Sequence, residues 1–252
     1  MTKLANRVVL VTGASSGIGE ATARRFSEAG ARVILAARRE ERLNKLASKL
    51  KTDCHILPLN VRHREEVEES LATLPETWRE IDILVNNAGL SRGLWKLHEG
   101  EHEGWEDMID TNVKGLLYVS RAVIPGMVER GRGHVINIGS IAGHEVYPGG
   151  NVYCATKHAV DAITKGMRLD LVDTPIRVTT IDPGMVKTEF SEVRFYGDKE
   201  KAGYVYDDFQ PLAGDDIADA IVWAASRPAH VQIAEMIVLP TAQASAMVTH
   251  KE

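Results

Sequence analysis

Two cysteines in 252 residues, Cys54 and Cys154, leave room for one disulfide at most. The first residues, Met-Thr-Lys-Leu-Ala-Asn-Arg, run almost at once into an apolar segment. No secretion signal is expected there, and both thiols are expected to stay reduced in a cytoplasmic protein. Long hydrophobic runs are missing as well. None reaches about 18 residues, which argues against a membrane-spanning helix and a membrane partner. Positive charge is not in excess: 30 Lys and Arg face 35 Asp and Glu, for a net charge of −5. The basic residues are dispersed, so no nucleic-acid partner is expected. The nine histidines are scattered and no Cys/His cluster has the spacing of a metal site, so no metal is expected. A linker is absent too. The longest irregular stretch, around 192–210, is rich in charge and tyrosine and reads as an excursion from one domain rather than a boundary.

What is present is alternation. Short apolar runs at 7–12, 32–37, 55–60, 81–86, 134–139, 177–182 and 236–239 predict strands. Amphipathic segments at 17–29, 40–50, 64–74, 105–130, 151–172 and 215–226 predict helices, with Pro125 expected to kink or shorten the long one. Strands apolar on both sides that alternate with helices make a parallel sheet covered on both faces. Right-handed crossovers then give a Rossmann-type, doubly wound α/β fold of about seven strands over residues 1–252. Such sheets bind ligands beyond the carboxyl ends of their strands.

The first strand runs into Thr12-Gly13-Ala14-Ser15-Ser16-Gly17-Ile18-Gly19. Glycines there permit a tight turn and close approach of backbone to a pyrophosphate, and the next helix offers free N–H groups. The second strand ends Ala36-Ala37-Arg38-Arg39. An acid near position 37 would hold a ribose 2′-hydroxyl; two arginines suit a 2′-phosphate instead. The expected cofactor is therefore NADP(H).

Tyr153 and Lys157 stand one helical turn apart. A cation beside a phenol favours the phenolate, so Lys157 is expected to lower the Tyr153 pKa and fit it for proton transfer. An isolated Tyr-x-x-x-Lys is usually a packed tyrosine beside a solvated lysine. Here it follows Thr12–Gly19, Asn86-Asn87-Ala88-Gly89, Asn112 and Ser140, and precedes Pro183-Gly184.

In that order, and over nearly the whole length, these residues resemble the classical short-chain dehydrogenase/reductase family. The resemblance implies that Tyr153 is the general acid/base and that Ser140 holds the reacting oxygen. Lys157 would bind the nicotinamide ribose, and Asn112 would support a water in a proton relay. Gly13, Ser15, Ser16, Gly17, Ile18 and Gly19 would hold the pyrophosphate. Asn60 and Val61 would meet adenine, although an Asp is more usual at position 60. Asn87, Ala88 and Gly89 would pass the adenosine side, and Pro183, Gly184, Val186 and Thr188 the nicotinamide. Cys154, where a smaller residue is common, is expected to be packing rather than a redox thiol.

Stretches outside the shared motifs (74–78, 105–112, 188–195, 228–231 and 240–243) resemble bacterial NADP-dependent 3-hydroxy acid dehydrogenases that also oxidise serine. Sulfoacetaldehyde reductases, which form isethionate, resemble the same subgroup, and the two readings stay open. A broad carbonyl reductase is a further alternative. A non-catalytic NADPH-binding regulator is remote, because neither Ser140, Tyr153 nor Lys157 is lost. Substrates of either class are small anions, a hydroxy acid or an aldehyde. Arg194, on a 190–212 excursion expected to cover the substrate, is the candidate cation; a solvated loop arginine is the alternative. Tyr147, Tyr196 and Tyr204 are candidate hydroxyl donors, and the segment 143–151 with its Pro148-Gly149-Gly150 is an expected wall beside Tyr153. The family also implies a homotetramer built through the two long helices and the C-terminal strand region.

Overall fold

The computed structural model describes residues 4–251. In chain order the first half holds β1 (Val8–Thr12), α1 (Gly17–Glu28), β2 (Arg32–Ala37), α2 (Glu40–Ala47), β3 (Cys54–Pro58), α3 (Arg64–Ala72), α4 (Glu76–Arg79) and β4 (Ile83–Asn86). The second half holds α5 (His102–Ile109), α6 (Leu116–Glu129), β5 (Gly133–Ile138), α7 (Asn151–Asp170), β6 (Ile176–Pro183), α8 (Phe190–Arg194), α9 (Lys199–Tyr204), α10 (Gly214–Ala225) and β7 (Glu235–Val238). The seven strands form one parallel sheet in the order β3-β2-β1-β4-β5-β6-β7. The order reverses between β1 and β4, and a crevice opens there beyond the strand ends.

Alternation along each strand explains the two cores. Val9 and Val11 of β1, Val33 and Leu35 of β2, and Val85 of β4 pack on one face with Phe26 of α1 and with Ile217 and Ile221 of α10. Val8, Leu10, Ile34 and Leu84 pack on the other with Val67 of α3 and with Val119, Val123 and Met127 of α6. Both faces of the central strands are buried, so those strands read as unbroken apolar runs. Phe26 is fully buried; truncating such a ring to alanine costs roughly 3–5 kcal/mol.

Boundaries of the expected elements fall within a few residues of the prediction except in the 105–130 segment, and the short helices α4, α8 and α9 were not expected. The 105–130 segment is not one plain helix: α5 and α6 are joined by a π-helical turn, Asp110–Gly115. Pro125 sits inside α6 without ending it, and the helix continues to Glu129. The 190–212 excursion carries α8 and α9 and is tied down at its start. Gly93 N donates to Arg194 O at 2.8 Å, and the Arg92 guanidinium donates to Val193 O at 2.8 Å.

Candidate active site

The carboxyl ends of the strands frame a cleft of about 790 Å³. Its first wall is the turn between β1 and α1. Gly13 lies at φ +66, and a Cβ there would stand 2.9 Å from Asn87 Nδ2. A Cβ on Gly19 would overlap Gly13 O. Only glycine lets the two backbone segments close on each other and leave a concave surface. Thr12 stitches this turn to the end of β4: its hydroxyl accepts from Asn87 N and Ala88 N, each at 3.0 Å. Asn87 Nδ2 donates to Thr12 O at 2.9 Å. No side chain caps the first turn of α1, whose orphan N–H groups suit an anion.

Gly13, Ser15, Ser16 and Ile18 line the cleft, as do Arg38, Arg39, Asn60, Val61, Asn87, Ala88 and Gly89. Gly17 and Gly19 do not; they give the turn its shape, with Gly17 packed under Thr188. Arg39 donates to Ser15 Oγ and Ser16 Oγ at 2.9–3.2 Å. It also pairs with Glu189 at 3.0 Å, and Arg42 pairs with the same carboxylate. Arg38 makes no hydrogen bond or ion pair among the described residues, and its exposed guanidinium stays available at the cleft. Glu189 and Arg42 were not singled out in the sequence; 150 positions separate Glu189 from Arg39, and only the fold brings them together.

The opposite wall is assembled from side chains. Ser140 follows β5; its Oγ accepts from Ala142 N at 3.1 Å, and its backbone N donates to Asp182 Oδ1 at 3.1 Å. Tyr153 and Lys157, in the first turns of α7, both line the cleft, so the expected shared face is observed. Pro183, Gly184, Val186 and Thr188 line it beyond β6. Asn112 does not. It lies in the π-turn, buried, and clips residue 90: its Oδ1 accepts from Leu90 N and its Nδ2 donates to Leu90 O, both at 2.8 Å. Nδ2 also donates to Thr156 Oγ1 at 3.0 Å on α7. It thereby fixes the loop after Gly89 to the helix that carries Tyr153.

The electrostatics differ from the expectation. Lys157 Nζ donates to Ile138 O at 2.9 Å and lies 6.0 Å from the Tyr153 ring centre. Burial pushes the Lys157 ammonium down to about 8, against an upward pull from Asp182. The net shift of Tyr153 is upward, and Lys157 is not among its main causes. Burial, with Tyr147 beside it, pushes its phenol well above the ordinary tyrosine value, while Arg194 and the Ser140 hydroxyl pull it down. The i, i+4 spacing sets the common face, but the degree of burial and the aim of the ammonium come from the tertiary fold.

Arg194 ends α8 with its guanidinium inside the cleft. Nη2 donates to the Tyr147 hydroxyl at 3.0 Å. The guanidinium carbon lies 5.3 Å from the Tyr153 ring centre and 5.0 Å from that of Phe190. Its Nε is buried without a hydrogen-bond partner. No ion pair joins Arg194 to a carboxylate among the described residues. Tyr147 and Pro148 form the wall expected from the 143–151 segment. Tyr196 does not: it turns its hydroxyl to Glu101 at 3.2 Å, outside the cleft. Tyr204 reaches the cleft edge but donates to Glu200 at 3.0 Å. Tyr206, not anticipated, lines the cleft and donates to Val186 O at 2.9 Å. Cys154 is fully buried beside Leu90, Met108 and Tyr153, where burial pushes its thiol up, as suits packing.

Comparisons with known proteins agree with this geometry. Residues 7–197 match the family model for short chain dehydrogenases. The chain is 53% identical over 240 residues to the NADP-dependent 3-hydroxy acid dehydrogenase YdfG of Salmonella typhi, covering 95% of this chain and 97% of that one. It is 44% identical over 240 residues to sulfoacetaldehyde reductase 2 of Chromohalobacter salexigens, covering 94% and 95%. The closed form of a serine dehydrogenase complexed with NADP+ superposes with a TM-score of 0.93 at 49% identity, over 97% of this chain and 99% of that one.

Proposed function

The chain belongs to the short chain dehydrogenase family, and from that premise we propose that it is an NADP(H)-dependent oxidoreductase acting on small 3-hydroxy acids. It would move a hydride between the nicotinamide and the alcohol or carbonyl carbon of a substrate of the serine or 3-hydroxypropionate type. The observation that carries the substrate class is Arg194: a guanidinium inside the cleft, over Tyr153, with no carboxylate paired to it among the described residues.

The cofactor fits the cradle. A Cβ on Gly13 would crowd Asn87, so the turn is built for close backbone approach to phosphate. Gly13, Ser15, Ser16 and Ile18 would hold the pyrophosphate, and Arg38 and Arg39 the 2′-phosphate. Asn60 and Val61 would meet adenine; Asn87, Ala88 and Gly89 the adenosine side; Pro183, Gly184, Val186 and Thr188 the other end. When bound, the nicotinamide supplies or receives the hydride.

The remaining work falls to the chain's own groups. Tyr153 Oη gives a proton to the substrate oxygen in reduction and takes it in oxidation. Burial favours the protonated phenol, the form that donates in reduction; oxidation needs the phenolate, which the nearby cations Arg194 and Lys157 favour. Ser140 Oγ holds the same oxygen. Lys157, charged below about pH 8, supplies positive potential beside the reacting centre and would reach the ribose hydroxyls. Asn112 acts by position, through residue 90 and Thr156. Arg194 grips the substrate anion through two donors, steadied by Tyr147. The 190–212 excursion covers the cleft, with Phe190 packed 5.5 Å from the Tyr153 ring centre.

A guanidinium accepts sulfonate as well as carboxylate, and a sulfoacetaldehyde reductase stands among the relatives, so sulfoacetaldehyde reduction is the second reading. The deciding experiment follows NADPH absorbance with serine, 3-hydroxypropionate, 3-hydroxyisobutyrate, sulfoacetaldehyde and a neutral ketone. The primary reading expects the highest kcat/KM among the carboxylates. A preference for the neutral ketone would overturn both readings. We read the protein further as a cytoplasmic homotetramer; exposed Leu117 and Val128 on α6, Leu169 on α7 and Ile237 on edge strand β7 support an assembly across those elements.

A further inference from the structure

We propose that His144, Asp182 and Glu235 form a binding site for a divalent transition cation of the zinc class, behind Ser140 and outside the cleft. Asp182 lies near the end of β6, and Glu235 opens β7. Thr180 is in register with Glu235, and Asp182 is two residues beyond Thr180, so both acids project from the same face of the sheet. His144 follows the short 3-10 turn Ile141–Gly143 that Ser140 caps. None of the three lines the cleft.

The spacing is that of ligands around one ion. His144 Nε2 stands 3.4 Å from Asp182 Oδ2 and 3.9 Å from Glu235 Oε1, and all three donor atoms lie within 4.8 Å of one another. Tetrahedral coordination with bonds of about 2.0–2.2 Å places ligand atoms roughly 3.3–3.6 Å apart. The carboxylates need to shift by only tenths of an ångström to about an ångström.

The second observation concerns hydrogen bonds that are not made. Asp182 is 1% exposed, and its Oδ2 is buried without a hydrogen-bond partner; the facing His144 Nε2 is in the same condition. The two atoms face each other at 3.4 Å, within ion-pair reach of a protonated imidazole, and neither has a hydrogen-bond partner elsewhere. Buried polar atoms left unpaired are rare, and two of them aimed at one point are what an ion would satisfy. The other Asp182 oxygen is already fixed, accepting from Ser140 N at 3.1 Å and Thr180 Oγ1 at 2.9 Å. Such outer contacts orient a metal-binding carboxylate.

Charge and exposure fit a divalent ion. Two carboxylates carry the balancing charge and the imidazole adds an uncharged donor; the set of one nitrogen and two oxygens suits zinc, cobalt or manganese. Lys165, close enough to feel Glu235, is held by Asp161 at 2.7 Å. The His144 and Glu235 side chains keep 21% and 32% exposure, which leaves an outer position for water. Because Asp182 also holds the Ser140 backbone, occupancy would stiffen the strand end that presents Ser140.

The test uses the full chain, free of any affinity tag and stripped with a chelator. It is titrated with CoCl2 by visible absorption and with ZnCl2 by calorimetry. The expected result is one Co2+ per chain with a visible ligand-field band, displaced by Zn2+. Glu235→Gln and His144→Gln should each weaken Zn2+ binding at least about tenfold while NADPH affinity stays unchanged. Absence of stoichiometric binding would overturn the site. So would binding that is equal in wild type and both variants, which marks adventitious metal. A His144 imidazolium paired with Asp182 by NMR titration, with Zn2+ leaving its resonance unmoved, would likewise replace the metal site with a plain ion pair.

Discussion

The wall of the cleft that follows β1 is made mainly of backbone; the wall that faces it, from Ser140 to Arg194, is made of side chains from four separate elements. The first is specified locally. A Gly at φ +66, a second that no Cβ could replace, and an uncapped helix start all fall within seven residues. The second has no local code. Ser140 is held by Asp182, Tyr153 is packed by Phe190, and Arg194 is steadied by Tyr147. The backbone wall suits a part that binds the same phosphates whatever the substrate. The side-chain wall can change its specificity by changing a few residues.

That contrast can be broken from the side-chain wall with the largest effect. Tyr153→Phe should lower turnover about 10²–10⁴-fold while NADPH affinity, measured by fluorescence titration, stays within a factor of about two. If turnover survives, proton transfer does not pass through this phenol. From the other wall, replacing Arg38 and Arg39 together with Ala removes charge-assisted bonds of about 1.5–3 kcal/mol each. The Kd for NADP should rise about 10²-fold or more and that for NAD change little; parallel losses would refute 2′-phosphate recognition.

Lys157 sharpens the comparison through pH. Its native pKa of about 8 lies below the ordinary lysine value, so between pH 8 and about 10.5 the unfolded chain holds more protons than the native one. Stability therefore rises with pH across that window, and below it the native state carries a penalty of roughly 3 kcal/mol. Lys157→Met should be more stable than wild type at pH 7, less the lost bond to Ile138 O, and the difference should vanish by about pH 10.5. Denaturant unfolding at both pH values measures this; a constant difference would show that Lys157 is not desolvated. The smallest effect belongs to Glu189, which draws Arg39 and Arg42 away from any phosphate. Such partly exposed pairs are worth about 0.2–1 kcal/mol, so Glu189→Gln should tighten NADP binding by up to about fivefold.

The sequence was readable where the physics is local. Alternating strands give the order of elements, the glycines give the phosphate turn, and four-residue spacing puts Tyr153 and Lys157 on one face. It was silent where distant residues meet. Glu189 reaches Arg39 across 150 positions. Asp182 props Ser140 from the neighbouring strand. The π-turn at Asp110–Gly115 has no plain signature in a segment that otherwise reads as helix, and Pro125 was absorbed within α6. For Tyr153 the spacing shows the lysine's charge but not the burial of both groups, and burial pushes the phenol up.

The role of Arg194 is tested most directly by kinetics of Arg194→Ala on a matched pair, a 3-hydroxy acid and its neutral methyl ester. Loss of a charged pair of about 1.5–3 kcal/mol should raise KM for the acid about 10- to 100-fold, with the ester nearly unchanged and NADPH binding intact. Equal changes for acid and ester, or none for either, would contradict the assignment of Arg194 as the group that holds the substrate's anion.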